Sequence, residues 1–298
     1  MGSKWRWPVA YVLGLYAAAV LVVAAFFKAG DPGLFIDQIT AHQITPPSWS
    51  PVLAYFFVAV EFLAAAAFIA FVWPRLVFSG TILLMLGFIG TTAYAWAMGY
   101  AEDCGCFGRL VERGPQEVII EDAAVAIACA LGLALTRGYR ARRWQWAVAA
   151  PLVVLSVVLT IFGAALPIDG FIVGLGPGSD LSDIALQGVR EPVDEGLVLL
   201  AIVGPECPEC DAGVEVLKAV VSEKTGPRVV AAYPGTRGEA QTWRMKHLPN
   251  FPIANSAPRA LRQYYRRLPA VFLLRDGVIQ HVWWGSVPRL DQVAHACS

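Results

Sequence analysis

The stretch "GLVLLAIVGPECPECDAGVEVLKAVVSEKTG", residues 196–226, changes its periodicity partway along. Residues 197–203 are a continuous apolar run of strand length, which Gly204 and Pro205 then punctuate. Beyond Pro208, the residues Val214, Leu217, Val220 and Val221 recur at helical spacing. Cys207 and Cys210 stand at the junction, so the pattern predicts a strand, a short turn carrying a C-x-x-C pair, and a helix. At a helix N-terminus, free N–H groups and the dipole favour a thiolate, and a second cysteine one turn on resolves a mixed disulfide. Cys207 is therefore the expected attacking sulfur and Cys210 the resolving one. A lone C-x-x-C is also half of a zinc site, but His247, His281, His295 and Cys297 are scattered and supply no second half, so no metal is expected. Glu206 and Glu209 disfavour a thiolate through like charge, a weak bias toward a reducing couple.

Further on, "PRVVAAYPG" (227–235) reads as a second strand, and "RRLPAVFLLRDGVIQHVWWGSVP" (266–288) as strand, Asp276-Gly277 hairpin turn and strand. The whole pattern resembles the thioredoxin-like family over about residues 193–297. That resemblance implies that Pro269 is the cis-proline beside the active disulfide, and a cis X-Pro bond is uncommon enough to mark a purposeful feature.

The rest of the chain belongs to another solvent. Of 298 residues 57% are hydrophobic and only 15% charged, well above the apolar content of a soluble domain. The apolar residues gather in five runs, Val9–Phe27, Val52–Val72, Leu76–Met98, Val118–Leu135 and Trp146–Leu166, each near the ~20 residues that cross a bilayer as a helix. The first run has Lys4 and Arg6 before it, as a signal peptide does, but four further runs argue against cleavage. Zero net charge and the lack of a long basic block leave no electrostatic case for a nucleic-acid partner.

Short-loop charge gives an expected orientation. Lys4, Arg6, Arg75, Arg137, Arg140, Arg142 and Arg143 mark cytoplasmic ends, whereas the loops around 28–51 and 99–117 are more acidic and are expected outside. Five crossings then put the C-terminal half outside too. Trp5, Trp7, Trp73, Trp96, Trp144 and Trp146 sit near the span ends, as interfacial aromatics do.

One outward loop carries "EDCGCFGR", residues 102–109. A Cys-x-Cys disulfide closes a tight ring; Gly105 supplies the backbone freedom, and such a bond is expected to be strained and easily reduced. Two thiolates one residue apart also suit copper or mercury, which keeps a soft-metal site open. With its flanking spans this motif resembles the MauE and DoxX-like membrane proteins over about residues 7–138, including an acidic residue in the second run, here Glu61. The resemblance implies a small helical bundle associated with disulfide formation and quinone-linked redox chemistry. Glu61 lies about nine residues into its run, roughly 14 Å deep at 1.5 Å per residue. Intramembrane ionisable groups are functional by default, and proton uptake by a reduced quinone would give it a task; the other reading is a structural acid bonded to a neighbouring helix. Arg109 is either a thiolate partner or a solvated loop arginine. Cys129 reads as a small core residue and Cys297 as a bystander.

The expected architecture is a membrane all-α bundle, with a four-helix core (1–140) and a fifth helix (141–168), then a linker (169–192) and an extracytoplasmic α/β thioredoxin-like domain (193–298). The expected activity is that of a thiol:disulfide oxidoreductase in a bacterial-type inner membrane, functionally similar to the vitamin K epoxide reductase fusions. It would oxidise secreted or periplasmic thiol proteins through Cys207 and Cys210, pass electrons to Cys104 and Cys106, and deliver them to a membrane quinone, ubiquinone or menaquinone. The alternatives are an outward-running reductase that prepares cytochrome or metalloenzyme cysteines, a soft-metal-handling membrane protein, and an assembly factor whose cysteines merely hold a loop.

Overall fold

The computed structural model describes residues 5–100, 114–184, 186, 193–205, 207–223 and 226–297. Cys104, Cys106, Arg109 and Glu206 lie outside the described residues. The chain divides into two compact units, Met1–Pro167 and Ile168–Ser298.

The first unit is helical: α1 (Arg6–Gly30), α2 (Pro32–Ala41), α3 (Ser50–Ala70), α4 (Pro74–Ala97), α5 (Pro115–Leu135) and α6 (Arg143–Phe162). Among the described residues, five of its helices are long and apolar enough to cross a membrane. A proline in the first turn opens α2 through α5, where its missing N–H costs nothing. Helix α1 packs against α3 and α5, α4 against α5, and α6 against α3. Small residues let these backbones approach, as bilayer helices require when lipid removes the hydrophobic drive. On α1 the buried stripe is Ala10, Gly14, Ala17, Ala18, Leu21 and Ala25. A Cβ on Gly132 would lie 2.4 Å from the Phe78 ring, so that ring occupies the space a side chain would take.

The outside of this unit is apolar and the inside partly polar. Leu76, Leu83, Ile120, Ile127 and Val154 are exposed, whereas Lys28, Glu61, Gln145 and Ser156 are buried. Gln145 Nε2 on α6 donates to the carbonyls of Ala70 and Phe71 at the end of α3 (3.1 and 3.2 Å), and Ser156 Oγ donates to the Phe62 carbonyl at 3.3 Å. The two Gln145 bonds satisfy carbonyls that the end of α3 leaves without helical partners, and the Ser156 bond ties α6 to the middle of α3. The expected loop at 28–51 contains α2, and α1 extends to Gly30 because no breaker precedes Gly30-Asp31-Pro32.

The second unit runs α7 (Asp169–Val173), β1 (Leu197–Ile202), α8 (Pro208–Ser222), β2 (Arg228–Pro234), α9 (Arg237–His247), β3 (Ile253–Ser256), α10 (Pro258–Arg262), β4 (Ala270–Arg275), β5 (Val278–Trp284) and α11 (Leu290–Cys297). The strand order is β3-β2-β1-β4-β5. Strands β1, β2 and β3 are mutually parallel, while β4 runs antiparallel to β1 and β5 antiparallel to β4. Strand β1 is buried on both faces, which its unbroken apolar run requires. Residues of α8, α9 and α11 pack on one face of the sheet, and residues of α7 and α10 on the other. Asp276 and Gly277 both take positive φ (50° and 79°), the geometry that the Asp-Gly turn signals.

The stretch expected as a linker is in large part folded. Val173, Leu175, Leu181 and Ile184 are buried in the core of the second unit. The amides of Gly178 and Leu181 donate to the Ile279 and Gly277 carbonyls (2.8 and 2.9 Å), binding this segment to the edge of β5. Its Gly, Pro and Asp content resembles a linker, but its apolar residues cover a sheet face that would otherwise meet water. Only residues 166–168 separate the last helical turn, Gly163–Ala165, from α7.

Candidate functional site

Cys207 is the N-cap of α8, and Cys210 lies one turn in; the two form a disulfide with Cα atoms 5.2 Å apart. Cys207 is 9% exposed and Cys210 is fully buried, so an incoming sulfur has access to Cys207 alone. The Cys210 amide donates toward Cys207 Sγ at 3.1 Å. Negative charge on that sulfur once the pair is reduced and Cys207 is a thiolate therefore meets a fixed donor at a helix N-terminus.

Glycines set the turn around this pair. Leu268 fills the space at Gly204, where a Cβ would lie 2.5 Å from Leu268 Cδ1, and Val287 fills that at Gly213 on α8 (2.1 Å from Cγ2). Leu268 precedes Pro269 across a cis peptide bond, as the family resemblance implied, and packs against the same apolar cluster as both cysteines. The Pro269 carbonyl accepts from the Gly285 amide at 2.8 Å, tying the loop to the end of β5. Glu209 is solvent-exposed.

Asp211, next to Cys210, is the charged group of the first turn that the sequence reading passed over. Its carboxylate accepts from Lys246 Nζ at 2.7 Å and lies 3.0 Å from His247 Nε2. The Lys246 hydrogen bond is the main reason that this carboxyl is held below its ordinary value. Cys297 packs against the cluster that contains Cys210, and burial pushes its thiol up, partly offset by Arg275.

A second missed group is Asp169, which is 4% exposed on α7. Arg267 Nε donates to its Oδ1 at 2.9 Å and Arg267 Nη2 to its Oδ2, with Arg266 Nη1 3.7 Å from Oδ1. This bidentate bond holds the Arg267 guanidinium above its ordinary value. It also fixes the two residues that lead into Leu268 and Pro269.

In the first unit, Glu61 is 1% exposed on α3. Lys28 Nζ, near the end of α1, donates to its Oε1. The same ammonium sits 5.0 Å from the centroid of the Phe35 ring and 4.9 Å from that of Phe88. Phe57 stands edge-on to Phe88 at 5.4 Å. Asp122 on α5 is within electrostatic reach of both Lys28 and Glu61. Glu61 Oε2 has no hydrogen-bond partner among the described residues. Lys28 was expected in an outward loop; helical continuation through "FFKAG" would have placed it on the span. Cys129 is a fully buried core residue of α5.

The five-stranded order, the disulfide at a helix N-terminus and the cis-proline before β4 define the second unit as a thioredoxin-like domain of the thiol:disulfide interchange type. Residues 6–135 match the family model of the methylamine utilisation protein MauE, and the thioredoxin-like domain follows that match in the chain. Among solved structures, the similar chains include a Chlorobium tepidum protein assigned as the thiol:disulfide interchange protein DsbE, at 23% identity over 41% of this chain and 93% of that one (TM-score 0.35). A secreted Mycobacterium tuberculosis disulfide oxidoreductase homologous to Escherichia coli DsbE matches at 19% identity over 40% and 92% of the chains (TM-score 0.31). StoA from Bacillus subtilis matches at 15% identity over 40% and 100% (TM-score 0.34). No curated protein matches the sequence.

Proposed function

We propose that the chain is a membrane thiol:disulfide oxidoreductase that passes electrons from substrate protein thiols to a membrane quinone by way of two cysteine pairs. In the first exchange a substrate thiolate attacks Cys207 Sγ, the Cys207–Cys210 bond breaks, and Cys210 leaves as thiolate. The second substrate thiol then displaces Cys207, so the substrate gains a disulfide and the domain holds a dithiol. Attack by Cys207 on a Cys104–Cys106 disulfide breaks that bond and forms a mixed disulfide. Attack by Cys210 on Cys207 then releases the second membrane sulfur, so the Cys207–Cys210 bond reforms and the membrane pair holds the two electrons and two protons as a dithiol. Quinone, when bound, takes up that pair of electrons with two protons and restores the Cys104–Cys106 bond. Because both pairs belong to one chain, their exchange is intramolecular and gains from effective concentration.

The observation that carries this reading is the asymmetry of the C-x-x-C pair, an accessible Cys207 at the N-terminus of α8 and a buried Cys210 behind it. Pro269 shapes the loop packed beside them, and Arg109 is assigned to the membrane cysteine loop. Glu61 is the quinone-facing acid, and its free Oε2 suits a polar headgroup. We read α1, α3, α4 and α5 as the bundle proper and α6 as an added span. The arginines at the ends of α4 to α6, with Lys4 and Arg6, support a reading in which those ends face the cytoplasm of a bacterial-type inner membrane and the thioredoxin-like domain lies outside. Secreted or periplasmic thiol proteins are the substrates.

The exposed charge of Glu209 favours a second reading, in which electrons run outward and the domain reduces secreted disulfides. The test is Cys210→Ser, purified from cells and separated without reductant. A Cys207 mixed disulfide with Cys104 or Cys106 is expected, and its absence under conditions in which Cys207 still traps substrate proteins overturns the relay.

A further inference from the structure

Lys28 and Glu61 form an ion pair that is incomplete. A buried pair returns its desolvation cost only when the remaining protons and lone pairs also find partners. Lys28 has three N–H donors; one serves Glu61 Oε1, and the ammonium otherwise faces the rings of Phe35 and Phe88. Glu61 has a second oxygen, fully enclosed, with no donor to meet it among the described residues. In a hydrocarbon environment an unmet carboxylate oxygen is a standing cost, removed when a donor arrives. Flat aromatic walls, a donor and an unmet acceptor occur together.

We propose that Lys28, Glu61, Phe35 and Phe88 form a headgroup site for a lipid-soluble quinone, in which Lys28 recognises the oxidised form and Glu61 the reduced form. This rests on the quinone-linked reading above. The chemistry follows from what each form offers. A quinone presents carbonyl oxygens, which only accept, and the Lys28 ammonium is the donor on hand. The quinol presents hydroxyls, which donate, and Glu61 Oε2 is the acceptor without a partner. Phe35 and Phe88 offer ring faces on which a planar headgroup stacks. The site therefore changes contacts between the two forms without a change of fold, and neither form is held by both charged groups at full strength. Asp122 on α5 is a further ionisable group, a second carboxyl within electrostatic reach of both Lys28 and Glu61.

The test is equilibrium binding to the full chain in detergent micelles, with a decyl-tailed ubiquinone and its quinol as probes and quenching of intrinsic tryptophan fluorescence as readout. Lys28→Met combined with Glu61→Gln removes both charges together and is expected to weaken quinone binding at least tenfold, whereas Lys28→Arg stays within about threefold of the parent, in line with the worth of charged hydrogen bonds. Glu61→Gln alone puts a donor in place of the free acceptor, so the ratio of quinone to quinol affinity rises. Where the double variant fails to fold, the exchange Lys28→Glu with Glu61→Lys keeps the pair but moves the ammonium to α3, and it too should lose quinone affinity. Parent-like binding of both probes by these variants, with unaltered preference between them, overturns the assignment while leaving the relay standing. Failure of the parent chain to bind either probe overturns both.

Discussion

Asp169 and Glu61 are both carboxylates buried beside cations, one in each unit. The Arg267 guanidinium on Asp169 is half-exposed whereas the ammonium on Glu61 is buried, and the two carboxylates differ in how many of their oxygens find a donor. Asp169 has both oxygens occupied, by Arg267 Nε and Nη2, with Arg266 close behind. Glu61 has one oxygen on Lys28 and the other on nothing described. A carboxylate with a donor on each oxygen is a fastener: it ties α7 to the segment that enters Pro269. An unsaturated one in an apolar setting is expensive unless something else completes it. The difference separates a completed ion pair from an incomplete one more sharply than carboxylate burial does, since Asp169 and Glu61 are both buried.

The strongest way to break this contrast is Asp169→Asn. It removes the charge that the half-exposed Arg267 meets and should cost the thioredoxin-like unit about 1 to 3 kcal/mol in denaturant unfolding of the full chain in detergent, less than a fully buried pair because water reaches the guanidinium. A loss under about 1 kcal/mol would remove the distinction from the Asp169 side. In the membrane unit, Glu61→Leu strands Lys28 and should cost roughly 3 kcal/mol, whereas adding Lys28→Met to it should restore most of that loss, as replacing a whole buried pair often does. Thermal unfolding of the helical unit reads both, and equal losses for the single and double variants would mean that the pair does more for the fold than the incomplete bonding suggests.

Close packing offers a smaller contrast. Gly213→Ala must push Val287 away beside the disulfide, and Gly132→Ala must push the Phe78 ring between helices; each should cost about 1 to 3 kcal/mol. Only the first should also slow reduction of the Cys207–Cys210 bond by a small thiol, followed by alkylation. The smallest effect expected is at Asp211. Its carboxyl is depressed below 3.8 in the folded chain by Lys246, so its contribution is present above that value and is lost as pH falls through the lower folded one. Asp211→Asn should therefore lower stability near neutrality by less than about 1 kcal/mol, the group being well exposed, and flatten the loss of stability as pH falls below about 4. A melting-temperature profile over that range that matches the parent would count against the Lys246 contact.

How far the sequence discloses all this varies with the local physics. The strand, the C-x-x-C turn and the helix are legible because periodicity changes abruptly at Cys207, and the β4–β5 hairpin because Asp276-Gly277 meets a backbone demand that few residues satisfy. The long apolar runs disclose the five spans for the same reason that they are long: nothing else covers a bilayer. Asp169 and the residues to Ile184 read as a linker because glycines and Pro177 dilute the apolar side chains below any period, and only the sheet face covered by Val173, Leu175, Leu181 and Ile184 reveals them. Lys28 was misread because a charged residue near a span end reads as a loop. Its partner lies 33 positions away, a pairing that helix packing alone decides. Glu61 was legible as an acid inside a span, but not its free oxygen, which is a property of geometry.

The central claim is that electrons leave the thioredoxin-like domain through the membrane cysteines to quinone. The direct measurement is to reduce the full chain, remove the reductant without air, add a decyl-tailed ubiquinone, and follow quinol absorbance alongside the alkylation state of Cys207 and Cys210. The parent chain should form quinol as the Cys207–Cys210 disulfide returns, and Cys104→Ser with Cys106→Ser should leave Cys207 and Cys210 reduced with quinone still present. A parent chain whose cysteines stay reduced, or a double variant that reoxidises at the parent rate, would contradict the account.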